Sequence, residues 1–278
     1  MDASAPSSGD SSASARFSFS PFAQHDFFTH VNQWIVDRVV RPAPETVVDL
    51  GCGPGAVTRL IVEKLDGVAG ARVIGIDPSP SALARARADI TAPWVEFHEG
   101  TAEHLSGLVP QADAILFLNA IHLIADKSAV LAEIRRVLKP RGRFAFNTTF
   151  FNGAYESSTS GFWRRWVVRA MQVLKERGIS VHHDPLANRM QWMTPDEYGT
   201  LCRAAGLDPS TVELLRVDLP PECLADIGRF SLFIEGALPG VPLEIGSEAL
   251  QLGLARALDE LQLTSLPRYW LEIIAKAI

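Results

Sequence analysis

The segment VVDLGCGPGAVT (47–58) sets Asp49 directly ahead of three alternating glycines, Gly51, Gly53 and Gly55. Glycines have no Cβ, so the backbone there can turn sharply and come close to a ligand. A carboxylate at that point repels a phosphate and suits an ammonium group, which favours a cofactor bearing an amino-acid moiety over a dinucleotide. The spacing agrees, because Ala56 stands where the dinucleotide fingerprint places its last glycine. About one βαβ unit later, RVIGID (72–77) ends in Asp77, where an acidic side chain can grip both ribose hydroxyls. The plainer reading of Asp77 is a turn or cap residue before Pro78. His122, just past the apolar run AILFLN (114–119), is the candidate for an acid–base or acceptor-orienting role. The same position also suits a histidine packed and hydrogen-bonded at a strand end. His182, His183 and Asp184 form a second polar cluster, but no third well-spaced ligand accompanies them, so no metal site is expected.

These residues must be positioned by elements that the hydrophobic pattern outlines. Phe27, Phe28, Val31, Trp34, Ile35 and Val39 recur at helical spacing, which predicts an amphipathic helix over 24–40. Apolar β-branched runs at 46–50, 72–77, 95–100, 114–119 and 142–149 alternate with helical stretches at 56–65, 81–88 and 127–138. That alternation predicts βαβ units and a parallel, doubly wound sheet. After Phe150 the character changes, and 151–193 is rich in aromatics with Gly, Ser and Asn between them. Thr194, Pro195 and Glu197 predict a capped helix start, with Gly206 beyond its end. A strand over 211–218, helical stretches near 222–237 and 245–262, and a final edge strand over 269–278 complete the reading. The expected organisation is a disordered tail (1–15), an N-terminal cap helix (16–44), a cofactor-binding core (45–150), an aromatic lid (151–193) and a C-terminal completion of the sheet (194–278).

Taken together, these motifs resemble the class I S-adenosylmethionine-dependent methyltransferase family, in its small-molecule branch, over roughly residues 46–150. The resemblance implies a seven-stranded, mostly parallel α/β sheet of Rossmann-like type with a helical cap. It implies S-adenosylmethionine as cofactor, with Asp49, Gly51, Cys52 and Gly53 at the methionine moiety and Gly55 also among the cofactor-binding residues. Asp77 would take the ribose, and Pro78 and Ser79 would lie near the adenosine. GTAEHL (100–105) stands where the family places its adenine contact, here Thr101, Ala102 and Glu103; the family's usual Asp is Thr101 in this chain. Asn119, Ala120 and Ile121 would line the sulfonium, and IRRVLKPRGRF (134–144) matches the helix–turn–strand that follows.

Methyl transfer is an in-line displacement, so the protein mainly positions the nucleophile. A hydroxyl acceptor needs a base, whereas a carboxylate is already nucleophilic near neutral pH. Phe22, Phe151, Tyr155, Trp163, Trp166, His182 and Trp192 are the candidates for lining the acceptor. As a set they favour a small, largely apolar acceptor, methylated at a hydroxyl or carboxylate oxygen, in natural-product or lipid-like metabolism. Carbon or nitrogen methylation, a nicotinamide-dependent oxidoreductase and a non-catalytic cofactor binder are the alternatives. The net charge of −6 speaks against a nucleic-acid partner. No apolar run approaches the roughly 20 residues of a membrane span, and no signal peptide is recognisable. Cys52, Cys202 and Cys223 are scattered and odd in number, which fits the cytoplasm.

Overall fold

The computed structural model describes residues 17–43, 45–179 and 192–278. The described chain opens with a single helical turn, α1 (Ser20–Ala23), and the longer α2 (Asp26–Val39). Then follow β1 (Thr46–Leu50), α3 (Ala56–Leu65), β2 (Arg72–Asp77), α4 (Pro80–Asp89) and β3 (Val95–Glu99). A second series runs α5 (Leu105–Leu108), β4 (Ala112–Leu118), α6 (Lys127–Val137) and β5 (Leu138–Thr148). Beyond it come α7 (Phe162–Glu176), α8 (Pro195–Ala204), β6 (Leu207–Leu219), α9 (Pro221–Ile227), α10 (Ser231–Ala237), α11 (Leu243–Leu261) and β7 (Leu266–Ala277).

The strands form one seven-stranded sheet in the order β3-β2-β1-β4-β5-β7-β6. β3, β2, β1, β4 and β5 are parallel, and β7 runs antiparallel to β5. The winding reverses between β1 and β4, and ligands bind at such a reversal, beyond the carboxyl ends of the strands. This is the expected α/β class, with one correction. β7 was expected at the edge, yet it lies inside the sheet and β6 takes the edge. The reason is burial: Trp270, Leu271, Ile273, Ile274 and Ala275 are all buried, whereas Val212 and Leu214 of β6 stand exposed. An apolar strand needs cover on both faces of the sheet, whereas β6, exposed along much of its length, can stand at the edge.

The local signals behave as their chemistry requires. Ser79 caps α4 by accepting from the Ala82 N–H at 3.3 Å, with Pro80 in the first turn. Thr194 and Glu197 form the full reciprocal capping box of α8. Gly206 takes a left-handed φ of +75° just past that helix. The sequence range 222–237 breaks into two helices at Gly228–Phe230.

The described residues group into two compact units. One comprises 26–154, 192–217 and 268–278 and holds most of the sheet. Its core joins Ile35, Val36 and Val39 of α2 to Val47, Ile61, Val73, Leu116 and Ala145. The apolar face of α2 is thus spent on the sheet and α3. The other unit comprises 17–25, 155–179 and 218–267. Within it α7 and α11 pack along their length, and Gly253 allows the approach: a Cβ there would stand 2.5 Å from the Ala170 nitrogen. Residues 155–179 and the helices α9, α10 and α11 lie in this unit.

Candidate functional site

The glycine turn stands at the end of β1. Gly51, Gly53 and Gly55 all have left-handed φ values of +70°, +52° and +92°. The N–H groups of Gly51 and Cys52 donate to the Ile76 carbonyl at 2.7 and 3.0 Å, tying the turn to the end of β2. A Cβ on Gly55 would meet Ile90 at 2.9 Å, so that glycine serves packing. A Cβ on Gly53 would meet nothing within 4 Å, so that side of the turn is open.

Asp77 is locked beside this opening. Its Oδ2 accepts from the Gly53 N–H at 2.8 Å and its Oδ1 from the Ser79 N–H at 2.9 Å. Each carboxylate oxygen has two acceptor sites, so each keeps one for a pair of hydroxyls. Asp49 lies under the turn. Its Oδ2 accepts from Thr58 Oγ1 at 2.6 Å, and burial, with the negative Asp77 adding to it, pushes its carboxyl up to about 7 against the opposing Thr58 bonds. Burial thus favours its neutral form, and a cation above the turn would draw it into the ionised one. Cys52 is buried beside these carboxylates, and burial holds its thiol well above the ordinary range.

On the other side of the reversal, Asn119 leaves β4 with φ +55°. The Ala120 Cβ would stand 3.2 Å from a Cβ placed on Gly51, so the β4 turn abuts the glycine turn. Ile121 is buried behind it. Pro78 is exposed and Ser79 half-buried at the start of α4. In the 100–105 segment Ala102 is buried, Glu103 is exposed, and the Thr101 hydroxyl lies 3.1 Å from His104 Nδ1.

His122 is buried on the same side of the sheet-bearing unit. Its Nδ1 lies 3.2 Å from Thr148 Oγ1, which accepts from the Phe150 N–H at 3.0 Å. The imidazole lies against the Phe150 ring with centroids 4.3 Å apart, and Phe150 meets Trp192 edge-on at 6.2 Å. The Arg268 guanidinium lies 4.9 Å from the centre of the same Phe150 ring and donates to the Thr149 carbonyl at 2.6 Å. Burial, then the positive charges of Arg268 and Lys127, push the His122 ring down to about 3. It is a neutral imidazole throughout the ordinary pH range.

The remaining acceptor candidates divide. Trp192 belongs to the His122 cluster. Trp166 is fully buried in the other unit, its indole N–H donating to the Leu250 carbonyl at 2.7 Å. Phe151 is fully buried too. Phe22 is buried against Phe19 and His25, and Tyr155 packs on Trp163. Phe22, Phe151 and Trp166 are thus buried in packing, while Tyr155 is half-buried. Trp163 is half-buried among Phe162, Trp166 and Phe233. His182, with His183 and Asp184, lies outside the described residues. Among the described residues no group of His, Cys, Asp and Glu gathers as a metal site, and no helix is long and apolar enough to cross a membrane.

Sequence reasoning missed a buried polar network behind Asn119, made of Asn32, Asn147, Trp270 and Glu272. Its one legible signal is a charge, Glu272, in the otherwise apolar run YWLEIIA.

A doubly wound sheet with a left-handed glycine turn at its reversal, one acidic group below the turn and another beside it, defines a binder of nucleoside cofactors that carry positive charge. The residues fit such a group. An open Gly53 face leaves room for it, and the Asp49–Asp77 pair disfavours phosphate.

Comparison with known proteins makes this specific. The family description "Methyltransferase domain" matches residues 47–142. The trans-aconitate 2-methyltransferase of Azoarcus sp. (strain BH72) is 31% identical over 223 residues, covering 74% of this chain and 83% of that protein. The ubiquinone biosynthesis O-methyltransferase of Cereibacter sphaeroides (strain ATCC 17025 / ATH 2.4.3) is 29% identical over 166 residues, 59% of this chain. That match spans 60% of the relative's own length. Among solved structures, a putative sarcosine dimethylglycine methyltransferase from Galdieria sulphuraria shares the fold with a TM-score of 0.55 at 17% identity, covering 92% of this chain and 89% of that one. The chain belongs to the class I S-adenosylmethionine-dependent methyltransferase family.

Proposed function

We propose that this chain transfers the methyl group of S-adenosylmethionine to an oxygen of a small, largely apolar acceptor, in natural-product or lipid-like metabolism, and that this oxygen belongs to a carboxylate. The observation that carries the choice of oxygen is the setting of His122. A base that must take a proton from a hydroxyl works best with a pKa near the operating pH, and His122 is held near 3 by burial and by two cations. A carboxylate needs no proton removed, and the positive field of Arg268 and Lys127 attracts it. Phe150 and Trp192 give the same region an apolar wall suited to the body of such a molecule.

The cofactor, when bound, supplies a sulfonium methyl group. Asp77, held by the Gly53 and Ser79 N–H groups, would take the ribose hydroxyls. Asp49 would offset the ammonium charge from beneath the turn, and Asn119, Ala120 and Ile121 would face the sulfur. Pro78 and Ser79 with Thr101, Ala102 and Glu103 would border the adenosine. In the transfer an acceptor oxygen forms a bond to the methyl carbon while the carbon–sulfur bond breaks and its electron pair stays on sulfur. The negative acceptor and positive donor thus become two neutral products, and no proton moves. The name of the Azoarcus relative, a methyltransferase of trans-aconitate, supports a carboxylate-bearing acceptor. Three buried free thiols are compatible with a cytoplasmic setting.

The test is methyl transfer from radiolabelled S-adenosylmethionine to matched acceptors that present a free carboxylate, its methyl ester or only a hydroxyl. Label that alkali releases as methanol from the carboxylate series is the expected result. Alkali-stable label on the hydroxyl series would refute the choice of oxygen.

A further inference from the structure

A chain of buried amides and one buried acid runs from β7 to the turn after β4. Glu272 stands opposite Asn147 in the antiparallel β5–β7 register, and both are fully buried. Asn147 Nδ2 donates to Glu272 Oε1 at 3.3 Å and to Asn32 Oδ1 at 3.1 Å. Asn32, on α2, is anchored by its own Nδ2, which donates to the Phe28 carbonyl at 2.7 Å. Its Oδ1 also accepts from Asn119 Nδ2 at 2.9 Å.

Asn119 is gripped from every side. Its backbone N–H donates to Asn147 twice, to Oδ1 at 2.8 Å and to the carbonyl at 3.2 Å. Its Oδ1 accepts from the Trp270 indole N–H at 3.1 Å. These bonds hold a residue with φ +55°, a conformation that disfavours most side chains and that Asn tolerates better than the rest. Such strain persists only where the surroundings over-determine it. Asn119 is half-buried and stands beside Gly51 through Ala120.

An acid inside a sheet is a costly way to fill space. An apolar side chain of similar volume would pack there without the desolvation of a carboxyl. Glu272 Oε2 has no hydrogen-bond partner among the described residues, so the group is not retained to satisfy its own atoms. What it does supply is an acceptor for Asn147 Nδ2. That bond, with the one to Asn32, fixes which way the Asn147 amide faces and so presents Oδ1 to the Asn119 N–H. A turned amide would offer an NH₂ to an N–H group and leave Nδ2 without its two acceptors.

We propose that Glu272 is a positioning residue for the cofactor: through Asn147 and Asn32 it orients Asn119 and fixes the left-handed turn beside the glycine loop. The inference rests on the reading of that loop as the S-adenosylmethionine site.

The probe is S-adenosylhomocysteine, titrated calorimetrically into the full chain and referred to the folded fraction. Glu272→Met removes the acceptor while keeping the volume, and should weaken binding about tenfold, the value of one well-placed bond. Glu272→Gln keeps an acceptor oxygen for Asn147 and should bind within about twofold of the parent. A purely structural role would lower the melting temperature of the Met variant and leave the affinity of its folded fraction unchanged. Where Glu272→Met does not fold, Asn32→Ala breaks the same chain and should show the same tenfold loss. Parent-like affinity in whichever of the two folds overturns the proposal, as does a Gln variant no better than Met. Failure of the parent protein to bind S-adenosylhomocysteine would instead overturn the reading of the site.

Discussion

Replacing Glu272 by glutamine tests the electrostatics of the sheet interior in a way that few substitutions could. Burial, with the negative Glu213 adding to it against the bond from Asn147, pushes the Glu272 carboxyl from 4.5 up to about 9. Between those values the folded chain holds a proton that the unfolded chain has released. Stability therefore falls as pH rises, by about 1.4 kcal/mol per unit, from the unfolded value to the folded one. At pH 7 the accumulated cost is roughly 3 kcal/mol. Glutamine does not titrate and escapes this cost. Its extra amide N–H, facing the same unpartnered space as Oε2, costs about 1 kcal/mol. The variant should be about as stable as the parent at pH 5 and roughly 2 kcal/mol more stable at pH 7. Equilibrium urea unfolding followed by tryptophan fluorescence, repeated at each pH from 5 to 8, measures the difference. A difference that does not change with pH, or a variant that is weaker throughout, would mean that Glu272 is ionised in the fold and would refute the reasoning.

Further outcomes follow from the same geometry. Asp49 must ionise to offset a cofactor ammonium, and its carboxyl sits at about 7; calorimetry should find S-adenosylmethionine binding roughly tenfold weaker at pH 6 than at pH 8, and a flat profile would count against that role. The His122 ring, held down to about 3 by burial and two cations, should keep its neutral nitrogen shifts by NMR down to pH 4. His122→Ala should then lower turnover more than cofactor affinity, and equal losses would mark it as a wall residue. Gly253→Ala would drive a Cβ to within 2.5 Å of the Ala170 backbone between α7 and α11, and should destabilise by roughly 2 kcal/mol with a lower thermal midpoint.

The parts of the site legible in the sequence are those whose physics is local. Asp49, the three glycines and Asp77 declare themselves because a turn that needs left-handed backbone and a strand-end carboxylate each occupy a few consecutive residues. Thr194, Pro195 and Glu197 are of the same kind. The network behind Asn119 is not local: Asn119 and Asn32 are 87 positions apart, and Asn147 and Glu272 are 125 apart. No spacing rule joins them: the packing of α2 brings Asn32 to Asn119, and the insertion of β7 between β5 and β6 brings Glu272 to Asn147. That insertion was itself illegible, since a terminal apolar strand reads equally well at an edge. The aromatics show the opposite failure. Trp163 and Trp166 share a helix with Phe162, and composition cannot tell a ring that lines a ligand from one that fills a helix pair. Trp166 makes its one polar bond to the α11 backbone, a partner that no local pattern around 166 announces.

The central claim is that the opening beside Gly53 holds S-adenosylmethionine, with Asp77 on its ribose. Its most direct test is a pair of calorimetric titrations of S-adenosylmethionine and NAD into the parent protein and into Asp77→Ala. The claim requires one equivalent of S-adenosylmethionine to bind the parent, no comparable binding of NAD, and a loss of S-adenosylmethionine affinity of at least about tenfold in a variant that stays folded. Tight NAD binding without S-adenosylmethionine, or unchanged S-adenosylmethionine affinity in folded Asp77→Ala, would contradict it.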